Sequence, residues 1–203
     1  GLYKSFYLHI APNLGKKKGI EIVKYSRVGD VGTTDIQFMI SGAKKEAGLL
    51  VLINKYIQKK SGKAPLGETF NVRNAPQSLN GLKALCQNKI SNAEMPVLIG
   101  VGDTVTSNQI SSEHKWLRGG SDRGFLTLIQ ELGKIYNKPN KVVLVDSSGG
   151  EVDRPNLSNP KLEGISDPED PLKFNTLFKD GPNSYVDWFE VLASSRKRST
   201  KVI

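Results

Sequence analysis

An uncharged apolar run that ends in a carboxylate constrains the fold of this chain more than any other feature. Pro96-Val-Leu-Ile-Gly-Val-Gly leads directly into Asp103, and Lys141-Val-Val-Leu-Val repeats the design and leads into Asp146. Short apolar runs of β-forming residues that stop at a flexible turn are typical of buried parallel strands. A helical pattern lies between the two runs, so the sequence predicts an α/β fold with a doubly wound sheet.

The two aspartates are candidates for a binding site. In doubly wound sheets, ligands bind outside the carboxyl ends of the strands, so Asp103 and Asp146 are expected to face one crevice in which a divalent cation could bind. The alternative is that each residue only begins a turn, a position in which aspartate is common.

Length and composition limit the class of protein. The chain has 203 residues, 37% of them hydrophobic, which suffices for one substantial core or for one domain with part of another. Its single cysteine, Cys86, cannot form an internal disulfide and favours a reducing compartment. The sequence has neither a signal-peptide pattern nor an apolar stretch near the roughly 20 residues of a membrane helix. These features predict a cytoplasmic protein without membrane association.

The chain is basic, with 29 basic and 20 acidic side chains and a formal net charge of +9. Such a balance suits a nucleic acid, an anionic surface or a phosphorylated substrate. The basic residues form scattered short clusters, without the aromatic signature of RNA-binding domains or the spacing of zinc fingers. We therefore expect a phosphorylated small molecule and no nucleic acid as partner, while a basic protein associated with nucleic acid stays open as an alternative.

The amino-terminal part changes character near residue 41. Segments between residues 5 and 40 alternate apolar and polar side chains and are separated by glycines, which predicts an antiparallel patch. From Ser41-Gly42 the period is helical, with Gly62 as the expected stop. Lys44 and Lys45 then lie in the first turn of this helix, where a positive side chain opposes the helix dipole. An anion bound nearby would explain this placement. A solvated lysine on an exposed turn is the alternative.

The segments before and after the Asp103 strand also carry sequence patterns that predict helices. A helix is predicted around Leu82 to Cys86, and residues 107–120 form a polar, glycine-rich insertion after the strand. Ser121 is the predicted N-cap of the next helix, and Asp122 favours its amino terminus.

The carboxyl-terminal part is predicted to be a loop followed by a helix. Residues 149–173 are rich in Pro, Asn and Asp, which predicts a long surface loop. Ser184 and Asp187 have the spacing of a variant capping box, which predicts the start of the last helix.

Several catalytic chemistries are excluded by missing motifs. The sequence has no GxxxxGK[ST] loop, no GxGxxG before a helix, no CxxC, no HExxH and no GxSxG. His9 and His114 are isolated in sequence and are interpreted as structural or exposed residues. Metal-assisted chemistry on a phosphate group is a reaction class that these missing motifs do not exclude.

The pattern of a helix-start lysine after an antiparallel module, followed by an apolar strand ending in Gly-Asp, resembles phosphatases of the haloacid dehalogenase superfamily with a sugar-phosphatase cap. A closer resemblance, to the family of cyanobacterial glucosylglycerol-phosphate phosphatases, runs through essentially the whole chain but covers only the carboxyl-terminal half of that family. It is carried by Ala11–Gly15, Thr33–Met39, Lys45–Gly48, Pro65–Glu68, Ile99–Ser107, Arg118–Arg123 and Val142–Val152.

The resemblance implies a mechanism divided between two halves. In the superfamily an amino-terminal Asp-x-Asp motif supplies the nucleophile and an acid/base, and magnesium holds the phosphate. That motif does not occur in this sequence. The matching catalytic positions are Lys45, expected to steady the charge of nucleophile and phosphate, and Asp103, expected to bind Mg²⁺ directly or through water.

One departure from the superfamily pattern concerns its second acid. The position four residues after Asp103 is Ser107, whereas Asp122 lies after the insertion and resembles the displaced acid, which makes it a second expected metal ligand. The alternative role of Asp122 is to complement the helix dipole, worth a few tenths of a kcal/mol to about 1 kcal/mol. Arg118 and Arg123 are candidates for substrate binding, with simple exposure as their alternative.

Taken with the resemblance, the sequence predicts part of a three-layer Rossmann-like core with the end of an antiparallel cap module. Residues 1–40 are expected to be the end of the cap and residues 41–203 the carboxyl-terminal half of the phosphatase core. The implied activity is magnesium-dependent dephosphorylation of glucosylglycerol phosphate, with the missing amino-terminal half as a partner. A non-enzymatic α/β module that binds a phosphorylated ligand is the alternative.

Overall fold

The computed structural model of the chain describes residues 20–22, 38–40, 44–110, 115–147 and 169–199. Its second half contains a parallel three-stranded sheet together with helices, so the predicted α/β class is confirmed. None of the helices in these ranges combines the length and apolar character that a membrane crossing requires. The elements are β1 (Ile20–Ile22), β2 (Phe38–Ile40), α1 (Lys45–Ser61), α2 (Leu79–Lys89), β3 (Ile99–Gly102), β4 (Thr106–Ile110), β5 (Lys115–Gly119), α3 (Arg123–Tyr136), β6 (Lys141–Val145), β7 (Thr176–Phe178) and α4 (Pro182–Ser199).

The elements divide into two compact units. The first comprises residues 1–97 and 131–139, and the second comprises residues 98–130 and 140–203. In the first unit β1 and β2 pair antiparallel, which confirms that part of the predicted amino-terminal patch. The predicted strand around Phe6 lies outside the described residues. The division into a cap end and a core half at residue 40 stays a prediction.

Helix α1 supplies much of the core of the first unit. Leu50, Ile53 and Ile57 recur at helical spacing and are almost completely buried. The helix ends at Gly62, whose φ of 75° lies in the left-handed region that glycine adopts without strain. The predicted helical period and the predicted stop are therefore both confirmed, although Tyr56, which the same period placed on the apolar face, is 45% exposed.

Helix α2 follows and contains the helix predicted around Leu82 to Cys86. It begins earlier than predicted because Ser78 caps it: the Ser78 hydroxyl accepts a hydrogen bond from the Gly81 amide at 3.1 Å. Its buried side chains are Leu82 and Cys86.

A parallel sheet with the order β3-β6-β7 organises the second unit. Gly102 of β3 lies opposite Leu144 of β6, so the two apolar runs of the sequence are parallel strands, as predicted, and they are paired with each other. Four consecutive residues of β6, Val142 to Val145, are buried, which fits a strand covered on both faces. Strand β7 comes from a segment whose sequence pattern did not predict a strand.

The polar segment after the Asp103 strand contains an antiparallel hairpin of β4 and β5, whose backbone N–H and C=O groups pair with each other. Two expectations for the second unit were wrong in detail. The end of the predicted surface loop is not at the surface, because Asp170 and Leu172 are fully buried. Helix α4 begins at Pro182, ahead of the predicted capping box at Ser184, because proline is preorganised for the first helical position.

Candidate active site

The candidate site lies at the carboxyl edge of β3 and β6, where the chain leaves two neighbouring parallel strands. The Asp103 carboxylate accepts a hydrogen bond from the Ser147 hydroxyl on Oδ2 at 2.9 Å. It accepts a second from the hydroxyl of Thr104 on Oδ1, also at 2.9 Å. Both oxygens of an exposed carboxylate are thus oriented by hydroxyls, one from each strand end.

These hydrogen bonds determine the charge of Asp103. Partial burial raises the pKa of its carboxyl, but the hydrogen bonds from Ser147 and Thr104, together with the interaction with the Asp122 side chain, outweigh burial and hold the pKa below its ordinary value. Asp103 is therefore an anion at neutral pH, as a ligand for a hard cation must be.

Asp122 lies beside Asp103 although nineteen residues separate them in the chain. Its side chain is buried, with 3% exposure, and its Oδ2 accepts the backbone N–H groups of Asp103 at 2.9 Å and Thr104 at 3.0 Å. In return, the Asp122 amide donates to the Thr104 carbonyl at 3.1 Å. The turn after β3 is thus bound to the residue that precedes α3.

Asp122 also begins α3. Its carbonyl accepts the Leu126 amide at 3.1 Å, the first helical hydrogen bond, so Asp122 occupies the N-cap position that the sequence assigned to Ser121. The prediction that Ser121 is the N-cap was therefore wrong, since the backbone of α3 starts one residue later. The two carboxylates that the resemblance implied as metal ligands are adjacent, and their ligand role stays a prediction.

Glycines in β3 allow this close approach. A Cβ on Gly102 would lie 2.8 Å from the Asp122 Cβ and 3.0 Å from its Oδ2. A Cβ on Gly100 would overlap the side chains of Leu126 and Ile129 in α3. The Gly-x-Gly-Asp pattern therefore leaves the room that α3, and Asp122 with it, needs to lie against the end of the strand.

The donor set fits Mg²⁺. Mg²⁺ in proteins is bound by oxygen, usually one or two carboxylates completed by water and substrate phosphate. The edge supplies two carboxylates, Asp103 and Asp122, and two hydroxyls, Thr104 and Ser147. Within the ranges that the structure describes, no group of three or more His, Cys, Asp or Glu side chains is arranged to hold a metal ion. A magnesium ion here would depend on ligands from water and substrate as well.

The two arginines predicted to bind substrate differ in their surroundings. Arg123 forms a bidentate ion pair with the buried Asp170, at 2.9 Å and 2.7 Å, and also donates to two backbone carbonyls. Arg118 is exposed and donates to the Glu169 carbonyl at 3.2 Å. A substrate role for either residue stays a prediction, and the contacts of Arg123 are those of a residue that holds the protein together.

The remaining predicted residues do not add to the described geometry of this edge. Lys45 is the first residue of α1 and is exposed, with Lys44 at the N-cap position, but it belongs to the first unit. Its role beside Asp103 stays a prediction. Asp146 is half-buried after β6, and its amide donates to the Phe178 carbonyl at 2.9 Å. Its neighbour Ser147 donates to the Asp103 carboxylate.

Sequence reasoning missed two residues of this region. Ser147 follows Asp146, and alternation along an extended chain sends neighbouring side chains in opposite directions, which is the signal that could have pointed to it. Asp170 lies in a Pro- and Asp-rich segment in which nothing distinguishes a buried carboxylate from an exposed one. Its burial depends on Arg123, 47 residues earlier.

Comparison with known proteins identifies relatives of the chain. Residues 1–193 match the family model described as glucosylglycerol-phosphate phosphatase. The glucosylglycerol-phosphate phosphatase of Synechocystis sp. is 46% identical over 209 aligned residues, which cover 97% of this chain and 50% of the relative. The chain thus spans about half the length of the curated relative that it matches. No solved structure matches the chain. With most of its length matched by the family model, the chain belongs to the glucosylglycerol-phosphate phosphatase family.

Proposed function

We propose that the chain forms the metal-binding half of a phosphatase that hydrolyses glucosylglycerol phosphate in a magnesium-dependent reaction, giving phosphate and the osmoprotectant glucosylglycerol. The observation that carries the proposal is the pair of carboxylates, Asp103 and Asp122, joined at the edge of a parallel sheet through the turn after β3. Family membership supports the substrate, since the matched relative is named for it.

In this proposal each residue has a distinct task. Asp103 is held as an anion by two hydroxyl donors and binds Mg²⁺, directly or through water. Asp122 fixes the turn that carries Asp103 and places a second carboxylate next to it. Lys45 supplies a positive charge for the phosphate. When bound, Mg²⁺ would offset the negative charge of the phosphoryl group, an effect that is larger in a site shielded from water.

The nucleophile is proposed to come from a segment outside these 203 residues. The sequence contains no Asp-x-Asp, the motif that the superfamily uses for aspartyl-phosphate formation. The matched relative is about twice as long as the aligned part, which leaves room for such a segment. The expected partner is therefore an amino-terminal half of the same enzyme, and we expect the 203-residue chain by itself to have no appreciable turnover.

Phosphate release from glucosylglycerol phosphate tests both parts of the proposal. The 203-residue chain and a longer protein that joins it to the amino-terminal half of the Synechocystis relative would be assayed with Mg²⁺ and with EDTA. Hydrolysis by the longer protein that EDTA abolishes is the expected result. Robust magnesium-dependent hydrolysis by the chain alone, free of contaminating phosphatase, would refute the divided site.

Two substitutions in the active, longer protein test the residue roles. Asp103→Asn keeps the size of the side chain and removes its charge, so it should lower turnover by orders of magnitude and weaken the magnesium dependence. Lys45→Met should also lower turnover. The matched controls are Asp187→Asn on α4 and Lys59→Met on α1, both exposed. Near-normal activity of either test variant at limiting Mg²⁺ would remove that residue from the site.

The cellular setting is part of the proposal. A role in salt stress follows from the osmoprotectant product, and a cytoplasmic location agrees with the single, unpaired cysteine. Cell fractionation after salt shock, with an antibody to the protein, would test both. An amount of the protein that does not change with salt, or recovery of the protein outside the cytoplasmic fraction, would contradict this setting.

A further inference from the structure

We propose that Arg123 and Asp170 form a positioning pair that holds the base of the β4–β5 hairpin in place beside Asp103 and Asp122. Arg123 then acts on the site through this contact and not by touching the substrate. An effect of the pair on turnover rests on the function proposed above. The positioning of the hairpin by the pair does not depend on that function.

The pair is a buried, bidentate ion pair. The two terminal nitrogens of Arg123 donate to the two oxygens of Asp170, Nη1 to Oδ1 at 2.9 Å and Nη2 to Oδ2 at 2.7 Å. The Asp170 side chain has no exposed surface, and its Oδ1 also accepts the Leu172 amide at 3.0 Å. A planar guanidinium in this fork has little freedom to turn away, because leaving a buried carboxylate unpaired is costly.

The same guanidinium joins the two strands of the hairpin at its base. Arg123 Nε donates to the Gly119 carbonyl at 3.1 Å, and Nη2 donates to the Thr106 carbonyl at 3.0 Å. Thr106 and Gly119 are partners in the β4–β5 register, where the hairpin leaves and rejoins the core. Four of the five N–H groups of an arginine are thus used within the protein, which leaves little capacity for a substrate phosphate.

The base of the hairpin is continuous with the candidate site. Asp103 and Thr104 lead into β4, and Gly120 leads from β5 toward Asp122. Gly120 has a φ of 100°, and a Cβ there would lie 2.6 Å from the Val105 Cα. The two ends of the hairpin are therefore packed backbone to backbone. A shift of the hairpin base would move the amides of Asp103 and Thr104 away from Asp122 Oδ2.

Amide hydrogen exchange in the 203-residue chain tests the proposal without any need for turnover. Asp170→Asn and Arg123→Lys should each shift the NMR signals of the Asp103 and Thr104 amides and speed their exchange about tenfold or more, as local opening does. The amide of Val143, in the centre of the sheet, should exchange as in the wild type, which separates a local effect from global unfolding. The control is Glu131→Gln, which removes two partly exposed ion pairs of the other unit, those of Glu131 with Lys83 and with Lys134.

A double variant covers the case in which the single variants do not fold. Arg123→Met with Asp170→Leu leaves no unpaired buried charge, so the chain is expected to fold, yet it lacks the contact with Thr106 and Gly119. It should show the same faster exchange at Asp103 and Thr104. Wild-type exchange at these two amides in the folded double variant would overturn the proposal, as would wild-type exchange in both single variants.

Kinetics of the active, longer protein supply the functional readout. A positioning pair predicts that Asp170→Asn and Arg123→Lys lower kcat by similar factors, about tenfold or more, with KM changed less than about twofold. A larger KM for Arg123→Lys, with Asp170→Asn unaffected, would instead indicate substrate contact and overturn the inference. If the wild-type longer protein shows no phosphatase activity, the proposed function fails, while the exchange data still decide the positioning pair.

Discussion

Asp122 has a different role in the structure from a simple helix-start acid, and Asp122→Asn measures the difference. Its Oδ2 accepts two backbone N–H groups, those of Asp103 and Thr104, from a side chain that is 3% exposed. A hydrogen bond to a charged acceptor contributes about 1.5–3 kcal/mol and a neutral one about 0.5–1.5 kcal/mol. Replacing the carboxylate by an amide therefore removes about 1 kcal/mol per bond.

Urea denaturation of the 203-residue chain should show a loss of about 2 kcal/mol for Asp122→Asn. An acid that only complements the helix dipole would lose at most about 1 kcal/mol. The exposed Asp187→Asn on α4 is the matched control and should stay within about 0.5 kcal/mol of the wild type. A loss below about 0.5 kcal/mol for Asp122→Asn would show that the two amide contacts do not stabilise the fold and would refute this reasoning.

The same substitution separates a stabilising role from a role in the reaction. In the active, longer protein, Asp122→Asn should depress turnover by roughly a hundredfold, with higher Mg²⁺ restoring part of the loss if Asp122 is a ligand. Ser107→Ala is the internal control, because Ser107 occupies the position at which the superfamily often has its second acid. Wild-type activity in Asp122→Asn beside a severe loss in Ser107→Ala would overturn the assignment of Asp122.

Three further predictions concern the surroundings of the site and the core. Gly102→Ala should lower the free energy of unfolding, measured by urea denaturation, by about 1–3 kcal/mol, because its Cβ would lie 2.8 Å from that of Asp122. Gly48→Ala, in open space on α1, should instead raise it by about 0.5–1 kcal/mol. Equal effects of the two substitutions would contradict the close approach of Gly102 and Asp122. Ser147→Ala should raise the pKa of Asp103 toward its ordinary value in an NMR titration, since it removes a donor to the carboxylate, whereas an unchanged or lower pKa would exclude this contact. Burial raises the pKa of the Cys86 thiol from 9.0 to about 12, and burial with the nearby Cys86 raises that of the Tyr136 hydroxyl from 10.0 to about 12. As the pH rises, the unfolded chain releases these protons before the folded chain does, so the folded state has its full stability below about pH 9 and loses stability as the pH rises toward 12. The Tm measured from pH 8 to 11 should therefore fall less in Tyr136→Phe than in the wild type.

The sequence by itself determined the two apolar strands, the helices and the family. A run such as Lys141 to Val145 has no polar face, so burial on both sides follows from composition alone. The stop of α1 at Gly62 is equally local, because the left-handed conformation there needs only the absence of a Cβ. The resemblance to the family was also readable from the sequence alone, because each of the segments that carry it is continuous in the chain.

Tertiary structure decided which distant groups meet. The contact of Asp122 with the amides of Asp103 and Thr104 spans 19 and 18 residues, and that of Ser147 with Asp103 spans 44. Burial of Asp170 likewise follows from Arg123, far from it in sequence, and nothing in the local pattern separates it from a loop acid. Strand, helix and turn preferences act over a few residues, whereas the free energy that selects a partner for a buried charge depends on what the completed fold places beside it.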